Sequence, residues 1–171
     1  MRTISLLALG IALIAIALNV CPAVAQDSSI VGSYELLSRD LKRGKKIDAP
    51  KDVAGMLTFT ANRRNFNVMW KRDDGSTASI SYVGKYKLTN DQYCEEPVFW
   101  MQNNMDGLGV VKYGAPLAKN ECSTVMRDGQ TIVFSFKGEP VIAMFEGDHI
   151  TATATDQKGD VIFVDHWRRV D

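Results

Sequence analysis

Short runs of alternating apolar and polar side chains, separated by turn residues, extend from residue 29 to the end of the chain. In the clearest run, Phe66, Val68 and Trp70 alternate with Asn67 and Met69. Successive side chains of a β-strand point to opposite faces, so this period of two predicts strands with one buried face. Turn signals such as DDG, TND and RDGQ recur about every 8 to 12 residues. The pattern therefore predicts an all-β protein.

The runs amount to about nine or ten strands that tight turns join in sequence order. An antiparallel meander of this size removes its unpaired edges when it closes on itself. We therefore expect an up-and-down antiparallel β-barrel of about 8-10 strands, whose interior holds side chains or one small ligand. A two-sheet sandwich predicts the same alternation, so the pattern alone does not separate the two architectures.

One segment, from Asn103 to Glu121, does not fit the strand pattern and is rich in Gly and Asn. A loop of about 20 residues is uncommon in a compact domain and is often a lid over a site or a mobile insertion. We interpret residues 103–121 as a long loop of one of these two kinds.

The first 25 residues have the layout of a secretory signal peptide. Arg2 supplies a positive charge, an apolar run extends from Ile4 to Val20, and Ala23 to Ala25 provide the small residues that a signal peptidase reads. The apolar run is at the short limit for spanning a bilayer. We expect cleavage after Ala25, a domain of residues 26–171 that is periplasmic or secreted, and no stable membrane insertion after cleavage.

After that cleavage two cysteines remain, Cys94 and Cys122. The compartments outside the cytoplasm are oxidising, and a small even number of cysteines there indicates a disulfide bond. A metal or redox pair is the alternative, but the chain lacks a close CxxC spacing and has only two histidines. We predict a Cys94–Cys122 disulfide, no metal site and no cofactor.

The charged residues give little support to nucleic-acid binding or catalysis. The chain has 20 basic and 20 acidic residues, which gives no electrostatic reason to expect a nucleic acid as partner. Glu95 and Glu96 are adjacent on a predicted strand, so they point to opposite faces, and we interpret both as solvated edge charges. No GxSxG, HExxH, P-loop or dinucleotide motif is present, so whether the protein is an enzyme stays open, with a non-enzyme favoured.

The closing stretch DVIFVDHWRRVD combines an apolar run with several ionisable residues. Alternation places Asp165 and Trp167 on one face of a strand and His166 on the other, so these residues do not form one catalytic cluster. We expect a last barrel strand in which Arg168 or Arg169 caps the barrel end.

Several segments, in their order and spacing, resemble lipocalin-like domains. Gly32-Ser33-Tyr34 is similar to the Gly-x-aromatic that opens the first strand of such barrels, and AGMLTFTANRRNFNVMW resembles their second hairpin. The stretch from Phe145 to Val170 resembles the final hairpin, which ends in Trp, a charged residue, Arg and Val. The resemblance covers about Ile30 to Val170 and implies an up-and-down barrel, often with a small-molecule cavity.

Strand parity also selects candidate binding residues. If Tyr34 faces the interior, the aromatic residues of the following strands point inward as well. Such an interior suits an apolar or aromatic ligand, although the same side chains in a small barrel can simply fill the core. The candidate ligand-binding residues are Tyr34, Phe66, Trp70, Tyr82, Tyr86, Trp100 and Phe134.

Three classes of function follow from these observations. The leading hypothesis is a secreted or periplasmic lipocalin-like protein that binds a small apolar or aromatic molecule in the barrel. The second is a protein-interaction or inhibitor module that uses the 103–121 loop. The third is a barrel enzyme of the isomerase or cyclase type.

Overall fold

The computed structural model describes residue 27 and residues 29–42, 44–114, 121–136 and 140–171. The predicted signal peptide, residues 1–25, lies outside the described residues. Within those ranges no helix is long and apolar enough to cross a membrane.

All regular secondary structure in the described ranges is β, so the all-β prediction is confirmed. The strands are β1 Gly32–Leu41, β2 Lys46–Asp48, β3 Val53–Phe59, β4 Arg63–Lys71, β5 Thr77–Leu88, β6 Gln92–Asn103, β7 Val111–Gly114, β8 Glu121–Thr124, β9 Met126–Asp128, β10 Thr131–Phe136, β11 Val141–Glu146, β12 His149–Thr155 and β13 Val161–Arg169. The predicted number of about 8-10 strands is too low for the 13 strands of the described sheet. The difference comes from β2, β7, β8 and β9, which have only three or four residues each and therefore show no alternation.

The strands form one antiparallel sheet that curls because its first and last long strands pair. The order is β7-β6-β5-β4-β3-β1-β13-β12-β11-β10-β9. β1 and β13 are in register from Tyr34 opposite Arg169 to Leu41 opposite Phe163. β8 pairs with β6 and β9 pairs with β10. Residues 121–128 therefore link the β6 side of the sheet to the β10 side.

A disulfide joins β6 to β8. Cys94 and Cys122 lie directly opposite each other in the ladder, and their sulfur atoms are bonded across a sequence separation of 28 residues. The predicted Cys94–Cys122 bond is confirmed. It fixes the four-residue β8 to the much longer β6.

The two ends of the sheet differ in how they are filled. We call the end at which β1 begins and β13 ends the lower end, and the opposite end the upper end. Six aromatic rings are in contact near the lower end, with neighbouring centroids 4.2 to 6.2 Å apart. They belong to Tyr34, Phe59, Tyr86, Tyr93, Phe134 and Phe145. A seventh ring, that of Phe136, contacts Phe134 at 5.5 Å and Tyr93 at 5.8 Å.

The chain before β1 and the end of β13 cover this aromatic cluster. Ile30 is completely buried, and its carbonyl accepts a hydrogen bond of 3.1 Å from the Tyr34 hydroxyl. Arg169 donates to the Tyr34 hydroxyl over 2.7 Å and to the Val31 carbonyl over 2.5 Å. Of the two arginines that the sequence offered as caps, Arg169 is the one at the lower end.

Candidate ligand-binding site

A buried ion pair lies on the inner face near the upper end. Arg39 donates from Nε to Asp165 Oδ1 over 2.6 Å and from Nη2 to Asp165 Oδ2 over 2.8 Å. The side chains are 7% and 6% exposed. Both atoms of the carboxylate are engaged, which is the bidentate geometry in which arginine binds a carboxylate most strongly.

A β-bulge explains why Arg39 points inward. The register of β1 with β13 shifts between Leu36 and Ser38, so that Leu37 is the extra residue on the bulged strand. Tyr34 and Leu36 are buried before the bulge, and Ser38 and Arg39 are buried after it. Bulges change the direction of the side chains that follow them. Strict alternation from Tyr34 gave no reason to place Arg39 on the inner face.

Two aromatic rings pack against the Arg39 guanidinium. Its central carbon lies 4.0 Å from the centroid of Phe163 and 5.1 Å from that of Trp70. Both rings are half-buried. Arg39, Trp70 and Phe163 each lie within two residues of the upper end of their strands, so the group is close to the end of the sheet.

The ionisation of Asp165 reflects this environment. Burial raises the pKa of the carboxyl above its usual value, while the hydrogen bonds and positive charge of Arg39 act in the opposite direction. The net shift is upward. Desolvation therefore outweighs the attraction of the single arginine.

A second buried ion pair, Arg64 with Glu95, corrects one interpretation of the sequence. Arg64 Nη1 lies 3.1 Å from each oxygen of Glu95, and the Glu95 side chain is 2% exposed. Glu95 is therefore not a solvated edge charge, because its face of β6 is the inner one. Glu96 points to the other face, as alternation predicts, and pairs with Lys85 over 3.1 Å.

Three rings surround the Arg64 guanidinium. Its central carbon lies 3.7 Å from the ring centroid of Phe136, 4.7 Å from Phe66 and 4.9 Å from Tyr82. Phe66 and Tyr82 also stack on each other at 5.5 Å. These two candidate ligand-binding residues thus pack on a charged side chain of the core.

The structure distributes the seven candidate residues over separate places on the inner face. Tyr34, Tyr86 and Phe134 belong to the lower-end aromatic cluster, and Phe66 and Tyr82 pack on Arg64. Trp70 contacts Arg39. Trp100 is half-buried against β7, where a Cβ atom on Gly114 would lie 1.8 Å from its indole nitrogen.

Sequence reasoning did not select Arg39, Asp165 or Phe163 for the site. Alternation did place Asp165 on the same face as Trp167, and both are buried. The missing information was the bulge, which no residue pattern in β1 indicates. The signal that was available is a pair of opposite charges, Arg39 in the first strand and Asp165 in the last, which lie opposite each other when these two strands pair.

A surface hollow of about 280 Å³ lies on the outer face of β3, β4 and β5. The space is open because several of the side chains around it are small or polar. Met69, which is 45% exposed, borders it. The lining residues are Ala54, Gly55, Asn67, Val68, Met69, Ser79, Ile80 and Ser81.

The segment predicted as a long loop contains a strand and an anchored turn. β7 pairs with β6, with Met101 opposite Tyr113, so the interpretation of residues 103–121 as one irregular loop is wrong. Asn104 holds the connecting turn, donating to the Thr77 carbonyl and accepting from the Gly109 amide. Leu108 in this turn is 78% exposed. Residues 115–120 lie outside the described ones.

The two histidines are not on the inner face. His166 Nε2 lies 2.9 Å from Asp40 Oδ2 in a half-exposed pair, and His149 is exposed. No group of three or more His, Cys, Asp or Glu residues suited to a metal ion occurs in the part of the chain that the structure describes.

No protein-family model matches the chain, and no curated protein matches it.

Proposed function

We propose that the protein is a secreted or periplasmic lipocalin-like barrel that binds a small apolar or aromatic molecule at its upper end. The observation that carries this proposal is the Arg39–Asp165 pair, which is buried close to the end of the sheet and whose guanidinium packs against two half-buried rings. Ligand sites combine an apolar lining with a few fixed polar groups in this way.

The pairing of β1 with β13 and the double pairing of residues 121–128 support a closed barrel. The Cys94–Cys122 bond supports an oxidising compartment, since disulfides persist outside the cytoplasm. An export signal in residues 1–25 is part of the same proposal.

The distribution of exposed apolar area favours the upper end over the lower end. The lower-end rings are buried and covered by Ile30 and Arg169. Apolar side chains that pack against the core but stay partly exposed include Leu41, Trp70, Ile80, Trp100 and Val141. Leu41, Trp70 and Val141 lie at or next to the upper ends of their strands. A ligand that covers them removes apolar area from water, which is the main driving force for such binding.

A fluorescent probe tests this proposal with two neighbouring variants. N-phenyl-1-naphthylamine, which is uncharged, is titrated into the chain lacking residues 1–25, and saturable fluorescence enhancement is expected. Trp70→Ala should weaken the binding at least about fivefold because it removes a ring of the site. Met69→Ala, one residue away on the outer face, should leave it unchanged. Equal effects of the two variants, or no saturable binding, would contradict the proposal.

A second candidate function, a protein-interaction module, is favoured by the outer hollow and its surroundings. Phe99 and Tyr113 on the outer side of β6 and β7 are 40% and 68% exposed. Filling the hollow with Ser81→Arg should abolish capture of a partner from an envelope extract, whereas Trp70→Ala should not. Retention of the same partners by Ser81→Arg would remove this candidate.

A further inference from the structure

We infer that the ligand of the upper-end site carries an uncharged hydrogen-bond acceptor, such as the carbonyl oxygen of a flat conjugated compound, and that Arg39 donates to that oxygen. This inference rests on the proposed function and adds the chemical class of the ligand.

Asp165 accepts hydrogen bonds from only some of the N–H groups of Arg39. A guanidinium has five N–H groups. Asp165 accepts from Nε and from one N–H of Nη2. Within the described residues, the remaining N–H groups on Nη1 and Nη2 have no acceptor. These N–H groups are not fully buried, so they can donate to an oxygen atom from outside the chain in place of water.

The charges of Arg39 and Asp165 favour an uncharged ligand. Arg39 and Asp165 are the two charged side chains of this group, and they neutralise each other. A carboxylate or phosphate on the ligand would add a second negative charge beside Asp165 on the buried inner face, and one arginine does not balance two anions. A carbonyl oxygen accepts a hydrogen bond without bringing a charge, which avoids that desolvation cost.

The rings of Phe163 and Trp70 favour a planar ligand. The guanidinium is stacked against Phe163 at 4.0 Å and lies 5.1 Å from Trp70, and both rings are half-buried. A planar ligand that continues this stack covers the exposed parts of the rings, and stacked aromatic groups attract beyond simple area burial. A carbonyl conjugated to the ring lies in the ring plane, so its oxygen reaches the edge of the guanidinium while the ring stays stacked.

Three probes with one ring system separate these contributions. 2-Acetylnaphthalene carries a carbonyl oxygen, 2-ethylnaphthalene has a similar shape without it, and 2-naphthoate replaces it with a carboxylate. We expect 2-acetylnaphthalene to bind at least about tenfold more tightly than 2-ethylnaphthalene, because a hydrogen bond from a charged donor is gained. 2-Naphthoate should bind more weakly than 2-acetylnaphthalene. Quenching of tryptophan fluorescence measures all three affinities.

Paired variants assign the preference to Arg39. Arg39→Met with Asp165→Leu removes both charges, so it should abolish the preference for 2-acetylnaphthalene and keep the binding of 2-ethylnaphthalene. Arg64→Met with Glu95→Leu removes the other buried ion pair and is the matched control, and it should keep the preference.

The wild-type probes alone decide the question if a variant does not fold. Tightest binding of 2-naphthoate overturns the inference, as does binding of 2-ethylnaphthalene that equals that of 2-acetylnaphthalene. Binding of N-phenyl-1-naphthylamine without binding of 2-acetylnaphthalene also overturns it, while the proposed function stands. Binding of none of the four compounds overturns the proposed function, and this inference with it.

Discussion

Two arginine side chains bring charge to the inner face of the sheet. Arg39 and Arg64 each pair with one carboxylate and pack against aromatic rings. A buried ion pair adds little net stability compared with apolar residues, but removal of one partner leaves an uncompensated charge. The two pairs therefore stabilise the fold only as complete units.

The Arg64–Glu95 pair gives a prediction about stability. Arg64→Met should lower the free energy of unfolding by about 3 to 5 kcal/mol, because Glu95 is left buried without its partner. Arg64→Met with Glu95→Leu should recover most of that loss. Urea unfolding of the wild type, both single variants and the double variant measures the coupling. A double variant as unstable as the worse single variant would refute this prediction.

Tyr93 gives a prediction about alkaline pH. Burial raises its pKa well above 10.0, and the negative charge of Glu95 raises it further. The unfolded chain ionises Tyr93 at lower pH than the folded protein does. Its contribution to stability is therefore fully present below pH 10.0 and is lost as the pH rises through the folded-state pKa.

Tyr93→Phe removes this ionisation. The loss of unfolding free energy between about pH 8 and about pH 11 should be smaller in Tyr93→Phe than in the wild type. Urea unfolding at the two pH values checks it. The same loss in both proteins would show that Tyr93 is not the group responsible.

The long strands and the disulfide were predictable at the scale of elements, whereas the short strands and the bulge were not. From Phe66 to Trp70, side chains that face the core alternate with side chains that face water. The sequence pattern therefore predicts which of these side chains are buried. β2, β7, β8 and β9 are too short to alternate, and tertiary pairing with β1, β6 and β10 forms them. The bulge at Leu37 depends on pairing with β13, so Arg39 was missing from the predicted site.

The disulfide stabilises the connection between β6 and β8. Cys94→Ala with Cys122→Ala opens a loop of 28 residues and should lower the free energy of unfolding by about 3 to 4 kcal/mol in the chain-entropy model. Urea unfolding of the double variant and of the non-reduced wild type gives the difference. Equal unfolding midpoints would mean that the bond adds nothing to the stability of the native protein.

The contact between Trp100 and Gly114 gives a prediction for the β6–β7 hairpin. Gly114→Ala places a methyl group where the Trp100 indole now lies, so the ring must move, and overpacking of this kind costs about 1 to 3 kcal/mol. The tryptophan emission should also change. Lys112→Ala, an exposed position on the same strand, is the control, and an equal effect on both readouts would argue against the contact.

At the scale of the whole molecule, the sheet separates a covered lower end from an upper end with partly exposed apolar side chains. Alternation and turn spacing predicted an up-and-down antiparallel barrel; the structure confirms an all-β fold with a curled antiparallel sheet, and the sequence did not predict this asymmetry. It depends on which residues precede β1 and on Arg169, which contacts the chain about 138 residues earlier in sequence. The candidate site is therefore the group around Arg39 rather than the full set of inward-facing rings.

Chemical-shift mapping tests the proposed site most directly. ¹⁵N-labelled protein lacking residues 1–25 is titrated with 2-acetylnaphthalene. We expect saturable shifts of the Trp70 indole N–H and the Arg39 Nε–H, with smaller changes elsewhere. Shifts centred on Ser79, Ser81 and Met69 would place binding in the outer hollow instead, and an absence of saturable shifts would contradict ligand binding at the upper end.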